Sequence, residues 1–288
     1  MASNANASNA STSSPLPLSL PLGVFFVFFV LLPMLLLAWV SLHNDPEMTR
    51  FGFGQYIKFL GDGFNMGVLA NTLWLGLEVT VLTIVIGLPL AYLYTQVPAR
   101  WQGPLMLVIV LPLLTSSVVR TFAWVVILGR QGIVNTALLD IGLIADPIKL
   151  LYTPGAVAVA LAQIELPLMV LPLITALMNI DPNLRQASLA LGAGHWRTFW
   201  QVTLPLSVPG LLAGSLLVFA SSVSAFVTQT LVGGGQQMFM PYYMYQQAIQ
   251  ANNYPFAAAI AMLLLVCVLL VVVAINALGR RSKGFVHG

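Results

Sequence analysis

Long apolar stretches alternate with short polar segments along the whole chain. A helix needs about 20 apolar residues to cross the roughly 30 Å hydrocarbon core of a bilayer. Six stretches reach that length, namely Leu20–Leu42, Ala70–Thr95, Gly103–Leu128, Gly155–Met178, Pro209–Leu231 and Phe256–Leu278. They are too continuous for barrel strands, which alternate over about ten residues. Because helices satisfy their own backbone hydrogen bonds in lipid, the pattern predicts an all-α membrane protein with six transmembrane helices.

Composition supports a bilayer environment rather than water. Of the 288 residues, 59% are hydrophobic and only 7% are charged, whereas soluble domains carry roughly a quarter charged residues. The single cysteine, Cys267, cannot form an internal disulfide. The histidines His43, His195 and His287 lack the spacing of metal ligands, so we expect neither a metal site nor a cofactor. The net charge of +3 is spread in a way that favours membrane orientation over nucleic-acid binding.

The two ends of the chain differ from its middle. Residues 1–17 form an uncharged tail of low complexity, which we expect to be disordered. Residues 18–279 then form one transmembrane domain, and residues 280–288 form a basic tail. With six spans both termini lie on one side, and the positive-inside rule favours the cytoplasm for them. That orientation puts these basic residues inside: Arg100, Arg185, Arg197, Arg280, Arg281 and Lys283.

A polar segment between the fourth and fifth spans, the 181–205 segment, has helix signals of its own. Asp181 suits the cap of a short helix predicted over Asn183–Leu191, and Gly192 then turns the chain. A second, amphipathic helix is predicted over His195–Val202, with Leu204-Pro205 as its stop.

The spacing of this segment resembles the coupling loop of the membrane permeases of ATP-binding cassette (ABC) importers. That loop reads Glu-Ala-Ala, three residues, Gly, nine residues and Ile-x-Leu-Pro. Here Gln186 takes the place of the Glu, which turns a charge-assisted bond to the ATPase into a neutral one. The resemblance implies these ATPase-coupling residues: Gln186, Ala187, Ser188, Gly192, Ala193, Trp196, Val202, Leu204 and Pro205.

Further segments resemble spermidine/putrescine permeases, and they are Pro112–Arg120, Leu151–Val157, Leu166–Met169 and Tyr254–Ala258. The resemblance implies a type I ABC importer permease-like bundle with a cytoplasmic coupling helix, in a bacterial inner membrane. The partners it implies are a second permease subunit (a different chain or a copy of this one), two ATPase subunits and a periplasmic or lipid-anchored binding protein. The solute would be a polyamine or a similar small molecule. The chain itself has no phosphate-binding Gly-x-x-x-x-Gly-Lys-Ser/Thr run, so we expect no catalytic residues in it.

Three ionisable residues, Glu78, Arg120 and Glu165, fall inside predicted spans. Such groups are costly in lipid and usually face protein or water. Counted from the span ends, all three could share one level, with Arg120 paired to one acid and the other acid free for a cationic solute. The alternative is a structural ion pair together with one Glu that is protonated or snorkels to the membrane surface. These residues are the candidate substrate pathway.

Three alternative functions explain fewer of the features of this sequence. A secondary transporter driven by an ion gradient would explain the carboxylates but not the loop spacing. An intramembrane serine protease would need a histidine at the depth of a serine, and no histidine lies in a predicted span. A purely structural membrane subunit would have no use for the 181–205 segment. The sequence therefore predicts the permease subunit of an ATP-driven uptake system.

Overall fold

The computed structural model describes Pro21 and residues 23–283, with side chains up to residue 277. The predicted tail at residues 1–17 lies outside this part, as do residues 284–288 of the predicted basic tail. In chain order the helices are α1 (Gly23–Ser41), α2 (Gly54–Leu60), α3 (Gly63–Gln96), α4 (Ala99–Leu114), α5 (Ser117–Leu128), α6 (Ile133–Asp140), α7 (Pro154–Met178), α8 (Pro182–Ala190), α9 (His195–Ser224), α10 (Phe226–Gly233), α11 (Met240–Tyr245) and α12 (Tyr254–Lys283).

The described residues contain six helical segments that are long and apolar enough to cross a membrane. They are α1, α3, the α5–α6 pair over Ser117–Asp140, α7, α9 and the Tyr254–Ala277 part of α12. The prediction of an all-α protein with six spans is therefore confirmed. Two of the predicted spans nevertheless have a different internal structure.

The third predicted span, Gly103–Leu128, is not one helix. Helix α4 ends at Leu114 and α5 begins at Ser117, because Thr115 and Ser116 adopt extended backbone angles. Pro112 lacks the amide proton that would continue the helix ladder. The Thr115 hydroxyl donates to the Pro112 carbonyl at 2.8 Å and so satisfies a group that the break sets free.

The fifth predicted span, Pro209–Leu231, starts earlier and ends earlier than expected. Helix α9 runs without a stop from His195 to Ser224, so Leu204-Pro205 does not end a helix. A π turn over Phe199–Thr203 precedes the proline. This wider turn accommodates a proline ring that would otherwise clash with the carbonyl four residues earlier. Ala225 then interrupts the chain before α10.

Helix α7 forms the centre of the bundle. It is the most buried of the six spans, and α3 and α9 pack along two of its sides. Its buried face is rich in alanine, which lets neighbouring backbones approach closely. By contrast, α1 contributes no buried residues to its most apolar window and packs along α12.

Glycines set the closest approaches to α7. Gly87 of α3 and Gly214 of α9 both face Met169. A Cβ atom at Gly210 would lie 2.6 Å from the Pro172 carbonyl oxygen, which is closer than real contacts allow. The crossing of α7 and α9 therefore requires glycine at Gly210 and Gly214, and the approach of α3 to α7 places Gly87 against Met169.

The ends of α3 and α12 near residues 63 and 254 carry a second, smaller core. The Tyr243 hydroxyl donates to Asn65 Oδ1 at 2.8 Å, and burial raises the pKa of Tyr243. In the loop between α1 and α2, the Thr49 hydroxyl donates to the Asp45 carboxylate and lowers the pKa of Asp45 to about 2. These contacts order the connections at this end of the bundle.

We expect Gly210→Ala to destabilise the protein by roughly 1–3 kcal/mol, because the added methyl group overpacks the contact between α7 and α9. Thermal unfolding of the purified protein in detergent would measure the change. Gly67→Ala in α3 is the matched control, since a Cβ atom there meets nothing within 4 Å. It should leave stability unchanged or raise it by up to about 1 kcal/mol. Equal melting temperatures for the two variants would contradict the packing argument.

Candidate functional site

The 181–205 segment lies at the end of the bundle where α7 ends and α9 begins. Its first helix, α8, begins at Pro182 and ends at Ala190, within one residue of the prediction at each end. Asp181 Oδ1 accepts a hydrogen bond from the Asn183 amide at 2.9 Å. Proline as the first helical residue sacrifices no hydrogen bond, because the amides of the first turn have no helical partner. The predicted helix and cap are confirmed.

Gly192 ends α8 in the left-handed conformation, with φ at +86°. Its amide donates to the Leu189 carbonyl at 3.0 Å, and the Ala193 amide donates to the Ser188 carbonyl at 3.1 Å. This pair of bonds is a Schellman motif, which favours glycine at the left-handed position. A Cβ atom at Gly192 would meet nothing within 4 Å. The requirement for glycine is therefore conformational and not steric.

The tip of the segment exposes large apolar side chains. Leu191 is 89% exposed and Trp196 is 73% exposed. Among the other predicted residues, Gln186 and Ala187 are exposed, and Ser188 and Ala193 are half-buried. Apolar anchors surrounded by small and polar side chains are typical of a protein-docking surface.

The remaining predicted residues of the segment belong to the membrane-spanning helix. Val202, Leu204 and Pro205 lie in α9, with Val202 and Leu204 half-buried and Pro205 exposed. The structure thus separates the predicted set into an exposed tip and the first turns of a long helix.

Side-chain contacts tie the tip to the bundle. Ser188 Oγ and Thr198 Oγ1 lie 3.0 Å apart and join α8 to α9. The Arg185 guanidinium carbon lies 5.7 Å from the centroid of the Tyr92 ring, and Phe199 packs edge-on against the same ring at 5.0 Å. Tyr92 belongs to the last turns of α3, so the segment rests directly on a core helix of the bundle.

Gln186 borders a cleft of about 380 Å³ beside the tip. The same cleft is lined by Arg185, by Thr95 at the end of α3 and by Gln102 in α4. Leu177, Met178, Ile180 and Pro182 complete the lining, so the cleft combines polar and apolar side chains next to the apolar anchors of the tip.

Of the three charged residues predicted in the spans, Arg120 and Glu165 lie near each other. Glu165 is 6% exposed and borders a cavity of about 330 Å³. Arg120 Nη1 donates to the carbonyl of Ile164, the neighbour of Glu165, at 3.1 Å. Within the described residues, no carboxylate lies within ion-pairing distance of Arg120, so the expected ion pair is not formed.

Glu78 lies on another face. It shares a stripe of α3 with Trp74, Val81 and Val85, which are 70%, 57% and 63% exposed. That the three charges share one level stays a prediction.

Comparison with known proteins identifies the family. Residues 83–284 match the family described as "Binding-protein-dependent transport system inner membrane component". The chain belongs to this family. The permease is 32% identical to the spermidine/putrescine transport system permease protein PotB of Haemophilus influenzae, over 86% of this chain and 88% of that protein. It is 31% identical to PotB of Escherichia coli, over 82% of this chain and 86% of that protein.

Solved structures share the fold of the permease at lower sequence identity. A chain of a bacterial ABC transporter that imports alginate aligns with a TM-score of 0.76 at 21% identity, covering 92% of this permease and 94% of that chain. A chain of the MetNI methionine ABC transporter in an inward-facing conformation aligns with a TM-score of 0.59 at 19% identity, covering 75% and 95%. The type I importer fold is therefore confirmed.

These findings establish what kind of subunit the chain is. The permease is the membrane subunit of an ATP-driven ABC importer, and it is a multi-pass protein of the inner membrane. It is a transport subunit and not an enzyme. It works with a solute-binding protein and an ATPase, as the family description and the ABC class imply.

Sequence reasoning missed several residues of both sites. Leu191 gives no periodic signal, because it is a single apolar residue at a turn. Tyr92 lies far away in the sequence and meets the segment only in the fold. Two serines of the Glu165 cavity did leave a signal, since Ser221 and Ser224 lie inside an otherwise apolar span.

We expect Gly192→Ala to loosen the tip, because a side chain in the left-handed conformation costs about 1–2 kcal/mol. Hydrogen exchange of peptides covering residues 182–194 should become faster in this variant. Gly194→Ala is the matched control, because Gly194 has φ of −71° and open space around its Cβ position. Identical exchange in both variants would contradict the assigned Schellman motif.

Proposed function

We propose that this permease imports a polyamine or a similar small organic cation, driven by ATPase subunits that dock on the 181–205 segment. The solute class is supported by the relatives of the chain, which are named spermidine/putrescine permeases. The observation that carries the docking proposal is the exposed apolar tip formed by Leu191 and Trp196. Such side chains are costly in water unless a partner covers them.

The contacts of the tip suggest how it transmits force. A partner pressing on α8 acts on α9 through the bond between Ser188 and Thr198. It acts on α3 through the stacked contacts of Arg185 and Phe199 with Tyr92. Two core helices of the bundle would therefore move with the segment, which is the property that a mechanical coupling element needs.

The cleft beside Gln186 would receive polar side chains of the ATPase. Because Gln186 is uncharged, its bond to a basic partner residue is weaker than the bond of a Glu at this position. Most of the docking energy would then come from the apolar anchors at the tip. The family resemblance implies Ala187, Ser188 and Ala193 as the small residues that let the partner approach closely.

The complete transporter would contain a second permease subunit, either a different chain or a copy of this one. Two ATPase subunits would occupy the 181–205 segments, and a binding protein would deliver solute at the opposite end of the bundle. Both termini would lie in the cytoplasm on the side of α8, in agreement with the positive-inside rule.

The charged residues of the spans would then divide between two roles. Glu165 and Arg120 border the interior and remain pathway residues. Glu78 is half-buried at the edge of an exposed face of α3, and a carboxylate facing lipid is costly. The second permease subunit would cover this face, so that Glu78 meets protein or the solute path and not hydrocarbon.

The solute proposal can be tested with radiolabelled putrescine and spermidine in proteoliposomes that hold the permease and its cognate partner subunits. We expect uptake that requires ATP inside the vesicle and the binding protein outside. An uncoupler should leave the rate unchanged, because no ion gradient drives the cycle. Uptake that continues without ATP and collapses with the uncoupler would favour a secondary transporter. Absence of any amine uptake by an ATP-hydrolysing complex would reject the polyamine assignment.

The docking proposal predicts that Leu191→Asp removes the ATPase from the purified complex. Loss of a central apolar anchor typically costs at least about 2 kcal/mol in binding, which corresponds to roughly a thirtyfold weaker complex. The amount of ATPase that co-purifies with the tagged permease measures the effect. Ile57→Asp is the matched control, since Ile57 is 71% exposed on α2, outside the membrane spans and at the opposite end of α3 from the segment. Equal recovery of the ATPase with both variants would remove the tip from the docking surface.

A further inference from the structure

A cavity of about 330 Å³ lies where two helices of the bundle are interrupted. It is bordered by Ser117, the first residue of α5 after the break that follows α4. It is also bordered by Ser224, Ala225 and Phe226, which span the break between α9 and α10. Breaks at membrane depth are tolerated where the backbone lines a cavity or is buried in protein.

The backbone at these breaks is largely satisfied without help from a ligand. Gln229 Nε2 donates to the Ser222 carbonyl at 2.8 Å, which satisfies a group at the end of α9. Helix ends of both polarities meet here, the amino ends of α5 and α10 and the carboxyl end of α9. Their partial charges oppose each other, so the side chains decide which ligand the cavity accepts.

Glu165 is the decisive side chain. It is 6% exposed, it lies in the central helix α7, and it borders the cavity. Arg120, the nearby cation, donates through Nη1 to the Ile164 carbonyl, and its buried Nε has no partner. Arg120 and Ser221 both act on the Glu165 carboxylate. No ion pair joins Arg120 to Glu165 in the described part of the chain, so the carboxylate can still accept hydrogen bonds from an ammonium ion.

The rest of the lining suits an aliphatic ammonium ion. The hydroxyl groups of Ser117, Ser221 and Ser224 can accept hydrogen bonds from it. Ile164, Val227 and the Phe226 ring provide apolar surface for methylene groups, and an aromatic ring also attracts cations. A metal ion would lack ligands, since the described residues contain no group of three or more metal-binding side chains.

We propose that this cavity binds one primary ammonium group of the transported amine, with the Glu165 carboxylate as its counter-ion and the serine hydroxyls as additional acceptors. The proposal rests on the proposed import of an organic cation and adds the place where the bundle holds it. The attached methylene chain lies against Ile164, Val227 and Phe226.

The test uses the complete transporter in proteoliposomes and compares putrescine uptake by the native permease, Glu165→Gln and Glu165→Asp. We expect the neutral variant to raise the KM for putrescine by roughly tenfold to a hundredfold, as loss of a charge-assisted hydrogen bond does. Glu165→Asp keeps the charge and should recover most of the affinity. The amount of ATPase that co-purifies with each variant checks that the three complexes assemble equally.

Glu47→Gln is the control for loss of a carboxylate, because Glu47 is exposed in the loop between α1 and α2. Unchanged KM in Glu165→Gln, while the native complex imports putrescine, would overturn the proposed site and leave the proposed function intact. Failure of the native complex to import any amine would reject the function itself. An equal loss in Glu165→Gln and Glu165→Asp would assign Glu165 a structural role.

A second measurement avoids changing Glu165. In a chain in which Cys267 is replaced by Ala, Ser221→Cys places a thiol in the cavity, where a small cationic thiol reagent can reach it. Bound putrescine should slow this modification severalfold, whereas modification of Thr49→Cys in the loop between α1 and α2 should be unaffected. Equal rates at Ser221→Cys with and without saturating putrescine would overturn the proposal even if the Glu165 variants did not assemble.

Discussion

The whole bundle depends on the close approach of α3 and α9 to the central helix α7. Lipid offers apolar side chains no hydrophobic reason to leave it, so membrane helices associate through tight packing and polar contacts. Here glycine on both neighbours faces Met169, and alanine lines much of the buried face of α7. This packing fixes the levels of the three helices, and with them the position of Glu165.

The tight packing around α7 allows irregular backbone at the breaks that interrupt other helices. The breaks that follow α4 and α9 would each expose polar groups to hydrocarbon in an isolated helix. In this permease they lie beside α7, where Thr115 and Gln229 satisfy freed carbonyls. The interruptions lie at partly exposed positions next to the central helix, and a cavity lined by serines and apolar side chains lies between them.

The sequence predicts the helices of this protein well, because continuous apolar runs and a capped polar segment are local signals. The spans, the cap of α8 at Asp181 and the turn at Gly192 all follow from residues within one or two turns. The breaks in the third and fifth spans do not follow in the same way. Proline near a break is a weak local signal, and Pro205 is accommodated by a π turn that only the fold reveals. The face of α3 on which Glu78 lies does not follow from the sequence either, since distance from the span ends does not determine the face of a helix.

Helix α9 is continuous from the exposed tip at His195 to the cavity at Ser224. From His195 to Ser221 it is about 39 Å long at the usual helical rise. Tilting it by about 5° around its tip would carry Ser221 sideways by roughly 3 Å, the width of a water molecule. A small tilt of α9 at one face of the membrane is therefore enough to change the width of the cavity beside Glu165.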